Sequence, residues 1–561
     1  FYNTGTTFTN TIAVSGGADK VNYRVSASNM ENKGIIPNSE FKRRTFSARF
    51  GADVTDRLHI ETKANFINSA GTNRPVAGIN FSQNVAGALN LTPQHVDLNW
   101  LKDYKNPDGS MRNWRSSPAN PYWTVNKMPS EDSRDRLIGL ISANYKVTDW
   151  LSIMARVGND TYSESQRQQY NIGTPGGAYR NGRVDFNQYR VRELNTDFLI
   201  TADGNLSEDF KGTFSLGANR FTRSWEETGT VGRDMDVPGI YTIENANLVI
   251  PKYNIIEKEI QSIYVAGQLA YKNYIFLDLT ARNDWSSTLS SDNQSFLYPS
   301  ASLSYVVTDA FDITSSVLTF AKLRLSYAQA GNDADPNKTK GGYFVQSKFF
   351  QGQRFGSIQG TVPPTQLKNE LSKSFEIGTD IRLFENRVSV DFTYYSSSTT
   401  NQILDVDLSE ATGYDQLTLN SGEVTNKGIE LFVSVVPIKT NSLTWKMDVN
   451  FAKNSSVVES LFPGIERHDF LATGNASIVA IPGLPYGTIY GFEYKRSPDG
   501  ELVTSDDGTR YVRADEQSVL GNTQPDWLAG VTNNISFKGI SLSALIDFRM
   551  GGEIYSWSRV D

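Results

Sequence analysis

The chain has 561 residues, more than one ordinary soluble domain. It carries no cysteine, which excludes disulfides and thiolate metal sites, and a net charge of −7 without a basic cluster gives nucleic-acid binding no support. Its three histidines, His59, His95 and His468, are far apart, so neither a His-based metal site nor a His-based catalytic site is expected.

Hydrophobic residues make up 39% of the chain and the mean hydropathy is −0.40. No run reaches the roughly 18 apolar residues of a membrane helix. A barrel strand shows lipid only every second residue, so a low mean hydropathy is compatible with a membrane-spanning barrel. The first residue is Phe1, no signal-peptide pattern follows it, and Ser558, Arg559, Val560 and Asp561 end the chain just after a strand pattern. These ends lead us to expect an internal piece of a longer polypeptide.

Period-two alternation runs along the chain. Phe46, Ala48, Phe50, Ala52 and Val54 alternate with Ser47, Arg49, Gly51 and Asp53. Ile60, Thr62, Ala64 and Phe66 alternate with Glu61, Lys63 and Asn65. The pattern returns over 375–383, 388–394, 445–451 and 541–549, where Arg, Asp, Glu and Lys fill the second set at strand centres. It recurs over roughly eighteen strands, each of about the 9–11 residues that cross a bilayer. An open sheet that wide tends to curl or split, whereas a closed barrel leaves no edges and turns its charged set toward a wet lumen. The fold class is therefore all-β, a transmembrane antiparallel β-barrel.

Short connections fall near 15–20, 54–57, 147–150, 204–209, 271–274, 308–318, 384–387, 437–443 and 537–540. Three of them share one pattern: Val54-Thr55-Asp56, Val147-Thr148-Asp149 and Val307-Thr308-Asp309. Tyr145, Trp150, Tyr271, Tyr274, Tyr305, Phe311, Phe384, Trp445 and Phe537 flank these turns, as a girdle at one membrane interface would. Long connections rich in Asn, Gly, Pro, Ser and Asp lie near 68–134, 160–188, 223–258, 284–297, 330–372, 397–424 and 454–525. The last contains two hairpin signals, Pro498-Asp499-Gly500 and Asp506-Asp507-Gly508. Barrel topology puts the short turns on the periplasmic rim and the long loops outside the cell.

No nucleophile elbow, phosphate loop, dinucleotide fingerprint or zinc motif is present, so an enzyme is not expected, nor any cofactor. Asn332 to Asn337 alternates oxygen ligands but lacks the glycine and distal Glu of a calcium loop; it is read as a loop after a strand. Asp278, Asp380, Asp391 and Asp547 sit on the charged face near Arg282, Arg382 and Arg549 and are read as lumenal charge pairs, not acid/base groups. The loop over 95–123 is dense in aromatics. Trp100, Tyr104, Trp114, Tyr122 and Trp123 are candidate ligand contacts, because flat rings stack on sugar faces, with Asn113, Arg115 and Asn120 near to reach hydroxyls. The alternative is that these rings pack the loop itself or touch a partner.

Several stretches resemble the SusC/RagA-like family of TonB-dependent transporters of the Bacteroidetes outer membrane. They are Lys33-Gly34-Ile35-Ile36-Pro37-Asn38, Arg282-Asn283-Asp284-Trp285 running on to Leu297-Tyr298-Pro299-Ser300, and Lys322-Leu323-Arg324-Leu325-Ser326-Tyr327. Further on come Lys373-Ser374-Phe375-Glu376-Ile377-Gly378, Glu423-Val424-Thr425-Asn426-Lys427-Gly428, Pro525-Asp526-Trp527 and Gly551-Gly552-Glu553-Ile554-Tyr555. They span nearly the whole chain in the family's order.

The resemblance implies a 22-stranded barrel with an N-terminal plug. Residues 1–561 would then be a partial TonB-dependent receptor β-barrel domain, without the plug and the barrel's last strands. It further implies a multi-pass outer-membrane importer of oligosaccharides or peptides. Its partners would be a SusD-like surface lipoprotein lid, outer-membrane lipid, and the TonB–ExbB–ExbD complex acting through the missing N-terminal part. The runner-up is a passive porin-like channel. A soluble all-β adhesin is a third class, separated from both by detergent dependence.

Overall fold

The structure is a computed structural model and describes residues 1–76, 83–351, 353–472 and 475–556. The end segment 558–561, on which one expectation rests, lies outside the described residues. Strands β1 (Thr6–Ala18), β2 (Val21–Lys33), β3 (Glu40–Asp53) and β4 (Leu58–Thr72) lead to three short helices, α1 (Val85–Asn90), α2 (Leu98–Lys102) and α3 (Pro121–Lys127). Next come β5 (Ser130–Lys146), β6 (Leu151–Tyr170), β7 (Arg183–Asn205), β8 (Phe210–Met235), β9 (Ala246–Tyr271), β10 (Ile275–Ser286) and β11 (Ser295–Val306). The one-turn α4 (Val307–Ala310) precedes β12 (Leu318–Asn332), followed by a separate hairpin of β13 (Tyr343–Phe350) and β14 (Gln353–Ile358). After β15 (Thr361–Val362) come β16 (Glu370–Leu383), β17 (Val388–Asp407), β18 (Gln416–Lys439) and β19 (Leu443–Ser460). A small sheet of β20 (His468–Ala472), β21 (Ala476–Ala480), β22 (Thr488–Tyr494) and β23 (Arg513–Asn522) then interrupts the wall before β24 (Trp527–Phe537) and β25 (Ile540–Met550).

Nineteen strands form one sheet. The two-residue β15 lies parallel to β18; the other eighteen are antiparallel, each beside its chain neighbour except where β12 skips to β16 and β19 to β24. This matches the expected strand number. Among the described residues β1 pairs only with β2 and β25 only with β24.

Register sorts the side chains into two faces, because directly paired residues point the same way. One row runs Ser26, Ser47, Asn65, Ile138, Asp160, Glu193 and Arg223, all polar but one. The adjacent row runs Ala27, Phe46, Phe66 and Leu137, whose aromatic and leucine side chains are exposed. Exposed apolar residues on one face and charges on the other reverse the pattern of a water-soluble sheet. They fit a barrel with lipid outside and water within.

All nine short connections predicted from sequence fall at one rim, between strands paired as hairpins. At Thr55 and Thr148 the hydroxyl oxygen accepts from the amide three residues on, Leu58 at 3.0 Å and Leu151 at 3.1 Å. Ser207 and Thr440 do the same for Phe210 (3.2 Å) and Leu443 (3.0 Å), so the motif is wider than Val-Thr-Asp. The third Val-Thr-Asp copy differs. Val307 to Ala310 forms a helical turn, closed by Phe311 N–H to Val307 O at 3.2 Å. The aromatics meet along this rim, Phe210 and Tyr271 tilted at a centroid distance of 4.8 Å, and Tyr271–Tyr274, Tyr274–Tyr305 and Tyr305–Phe311 edge to face at 5.4, 6.2 and 6.5 Å.

The strands are longer than expected; β8 and β9 have 26 residues each. The excess rises above the membrane. On the outer face of β8, Phe214, Leu216 and Ala218 give way to Arg220, Thr222 and Ser224, and on β9 Val265 and Ile263 give way to Gln261 and Glu259. Arg220 stands ten residues from the start of β8, the span of one membrane crossing. Much of what read as loop at 160–188, 223–258 and 397–424 is therefore polar hairpin. The buried apolar clusters lie at the long-loop end, where loops pack on the wall, such as Ile36 with Val85 and Val125, and Val424 with Val458 and Ala480.

Candidate functional site

The lumenal face carries a belt of ion pairs. Glu61 on β4 meets Arg49 on β3 at 2.9 Å and Lys63 at 3.0 Å. Arg136 on β5 grips Asp160 on β6 through both carboxylate oxygens, Nε to Oδ1 at 2.8 Å, and Arg134 holds Glu164 one step higher. Arg156 reaches Asp197 on β7 at 2.9 and 3.0 Å, and Asn219 donates to the same carboxylate at 2.7 Å. Across the molecule Arg324 on β12 binds both oxygens of Asp391 on β17 at 2.6 and 2.9 Å. The belt is close to self-neutralising, so it presents fixed dipoles and hydrogen-bonding groups without a strong field of one sign.

The lumenal Asp residues find partners by topology more than by sequence. Asp380 does pair with Arg382, at 3.2 Å. Asp391 takes Arg324, 67 residues away. Asp278 accepts from Gln268 at 2.6 Å, and Arg282 takes Asp284 at 2.7 Å. Arg549 donates to the Thr523 carbonyl at 3.1 Å, while Asp547 stands opposite Gly530.

Two hollows indent this face. One of about 540 Å³ has Ile138, Leu140 and Phe221 as an apolar floor between Arg49, Lys63 and Asp160. The other, about 810 Å³, lies nearer the long-loop rim and presents Asp132, Gln166, Asn187 and Lys252. Gly71 and Gly229 keep it open. A Cβ at either would come within 2.6 Å of the Asp132 or Asn187 side-chain oxygen.

The aromatic loop splits in two. Asn120 caps α3, its side-chain oxygen accepting from Tyr122 N–H at 2.8 Å, and Pro121 begins the helix. That helix drives Trp123 inward to 2% exposure, where its indole N–H donates to Thr174 Oγ1 at 3.0 Å among Met128 and Tyr170. Tyr104 stacks edge-on against it at 6.3 Å, and Tyr122 packs on Phe1 at 4.9 Å. Asn120 is wholly buried and donates to the Leu101 and Arg112 carbonyls at 2.8 Å; Asn113 donates to Pro118 O at 2.6 Å. These groups make their contacts within the loop and with the chain beside it. Trp100 is 43% exposed and Trp114 half-buried, with Arg112 and Arg115 over their rings at 6.0 and 4.5 Å. At the end of α3, desolvation and then the neighbouring Lys105 push the Lys127 ammonium below its ordinary range.

Sequence reasoning missed the cross-strand partners, the hollow at Asn187 and the small sheet β20–β23. It found that sheet's neighbouring turns: Gly500 and Gly508 take positive φ of 86° and 67° between the bridges Arg496–Leu502 and Thr504–Tyr511. Asp333, in the segment weighed as a calcium loop, is instead engaged by protein donors, Lys258 Nζ at 2.5 Å, Thr288 Oγ1 at 3.1 Å and the Ser286 hydroxyl.

The sequence matches the family described as TonB dependent receptor-like, beta-barrel, over residues 8–544. TonB-dependent receptor P3 of Formosa agariphila is 24% identical across 100% of this chain and 58% of its own length. TonB-dependent receptor SusC of Bacteroides thetaiotaomicron is 22% identical across 97% of this chain and 57% of its own. In solved structures, a component of the RagAB peptide transporter superimposes with a TM-score of 0.80 at 18% identity, covering 97% of this chain and 62% of that one. A chain of the FpvAI–pyocin S2 complex shares the fold at a TM-score of 0.53 and 10% identity. The chain thus spans 57% to 62% of the length of the first three. It belongs to the TonB-dependent receptor β-barrel family, as a SusC/RagA-like barrel of the outer membrane.

Proposed function

We propose that this barrel is the wall of a TonB-dependent importer that moves an oligomeric nutrient, an oligosaccharide or a peptide, across the outer membrane. The observation that carries the reading is the family match over residues 8–544. The lumen supports it. A wet wall of paired charges and amides binds hydroxyls or peptide groups weakly and at many points, as a conduit requires. The short-turn rim faces the periplasm and the long loops face outward. A SusD-like lipoprotein closes over those loops, and the TonB complex, powered by the inner membrane, opens the path. The barrel wall performs no chemistry on its cargo.

Ligand contact in the outer loops falls to the exposed Trp100 and the half-buried Trp114, and in the upper lumen to Asp132, Gln166, Asn187 and Lys252. The test is uptake of a labelled oligosaccharide or oligopeptide mixture by cells expressing the full gene, with and without TonB. Import that needs TonB supports the reading. Equal uptake in both strains means a passive pore and sinks it.

A further inference from the structure

Three lysines lie on the outer face of the wall at the far edge of the apolar belt, Lys427 and Lys453 on adjacent strands and Lys373 two strands from Lys427 and one row above it. Lys373 on β16 lies ten residues before Leu383, where that strand meets its short turn; Lys427 on β18 lies twelve before Lys439; Lys453 on β19 lies ten after Leu443. Ten tilted strand residues span about the 25 Å height of a barrel's apolar band, so all three sit at one level, on the long-loop side.

The register shows what lies beside and below them. Tyr327, Phe375, Ser396, Lys427 and Ser455 form one outer row, and Leu325, Ile377, Tyr394, Ile429 and Lys453 form the next row down. Below these comes Leu323, Thr379, Phe392, Leu431 and Phe451, a surface for acyl chains. Lys453 pairs with Ile429, two residues from Lys427, so the two lysines are diagonal neighbours, about 7–8 Å apart at the backbone. Long side chains at that separation can close on one phosphate.

Among the described residues the trio lacks counter-charges, as does Arg44 on the outer face of β3. Many lumenal cations are held by carboxylates, among them Arg49, Arg136, Arg156 and Arg324, and on the outer wall at the same level Arg220 is bound to Glu259 at 2.9 and 3.0 Å. Lys373, Lys427 and Lys453 are exposed, and none has an ion pair among the described residues. The nearby acids sit above them and are occupied by hydroxyls: Glu423 accepts from Ser398 at 2.5 Å and Glu459 from Thr425 at 2.6 Å. Three uncompensated cations over an apolar surface form a headgroup-and-tail template for an anionic amphiphile.

We infer that Lys373, Lys427 and Lys453 form a docking site for a phosphorylated lipid headgroup of the leaflet at the long-loop rim. The inference rests on the barrel spanning a bilayer and is independent of what is imported. It is tested on the full-length protein in detergent, titrated with a monophosphorylated glycolipid or its phosphate-free counterpart and read by native mass spectrometry. The intact protein should prefer the phosphorylated lipid. The triple variant Lys373→Gln/Lys427→Gln/Lys453→Gln should bind it at least roughly tenfold more weakly, and the triple Lys→Arg variant should keep it. A control with Lys20→Gln, Lys272→Gln and Lys538→Gln at the opposite rim should bind as the parent does.

If the triple variant misfolds, seen as loss of heat-modifiable migration, the single Lys427→Gln variant should still weaken binding about fivefold. Four results overturn the inference: equal affinity for both lipids; unaltered affinity in the triple Gln variant; full competition by inorganic phosphate; or a changed oligomeric state with lipid binding intact.

Discussion

Arg324 on β12 reaches Asp391 on β17 across the intervening strand β16, and it does so over Gly378. Arg324 pairs in register with Gly378, and Gly378 with Thr393. A Cβ at Gly378 would lie 3.0 Å from Arg324 Nη2 and 3.1 Å from Thr393 Oγ1. The missing side chain is the path the guanidinium takes. Gly378→Val should therefore eject Arg324 and destabilise the barrel by about 1–3 kcal/mol. Arg324→Met with Asp391→Leu should show a coupling of about 1 kcal/mol, since both groups are a third exposed to lumenal water. Urea unfolding in detergent reads both, and additivity of the double variant would refute the pairing.

The turn hydroxyls make a second, smaller prediction. Thr55→Ala, Thr148→Ala and Ser207→Ala each remove an acceptor for the returning amide, and each should cost about 0.5–1 kcal/mol. Asp56→Ala should cost less, because its pair with Lys20 is 62% and 91% exposed at the two side chains. Equal losses for Thr55→Ala and Asp56→Ala would show that charge, not the hydroxyl, closes the turn.

These turns also show what was legible in the sequence. Alternation told the two faces apart because lipid and lumen impose opposite demands on adjacent residues, so Phe46 and Arg49 declared their sides. The upper hairpins were not legible. Beyond Ala218 both faces of β8 meet water, and Arg220, Thr222 and Ser224 carry the composition of a loop. Partners such as Arg324 and Asp391, or Arg156 and Asp197, depend on which strands adjoin and by what register, and local pattern holds neither. Trp123 and Trp114 look alike in sequence. The Asn120-Pro121 helix start separates them by turning one ring into the loop's core.

That separation can be measured. Trp123→Ala should loosen the loop at a cost of about 3–5 kcal/mol, seen as rapid proteolysis between 83 and 130 in a barrel that stays folded. Trp100→Ala and Trp114→Ala should leave proteolysis unchanged and weaken capture of the cargo by the intact complex. Unaltered capture in both would remove these rings from the ligand surface.

Acid should act on the outer turn at Asp507 only at very low pH. The Ser505 hydroxyl at 2.5 Å, then the Thr509 amide at 3.1 Å and hydroxyl at 2.8 Å, bring its carboxyl down from the usual 3.8 to about 2. A depressed carboxylate stabilises the fold above its unfolded value and loses that contribution as pH falls through the folded one. The turn should stay closed at pH 5 and open between pH 3.8 and about 2. Amide exchange at Gly508 and Thr509 reads the opening; exchange that already rises near pH 5 would contradict it.

The last prediction concerns Asp333, which ties the exit of β12 to the upper ends of β9 and β10. Its side chain is 5% exposed, and Ser286 and Thr288 are buried beside it. Asp333→Ala strips Lys258 of its counter-charge and removes the acceptor that the two buried hydroxyls share. Removing one member of such a buried pair costs about 3–5 kcal/mol, whereas replacing both partners by apolar groups costs far less. Asp333→Ala should therefore release the 333–342 segment to protease while Asp333→Leu with Lys258→Met restores much of the protection. If the double variant is as labile as the single one, the carboxylate acts through the Ser286 and Thr288 hydroxyls and not through Lys258.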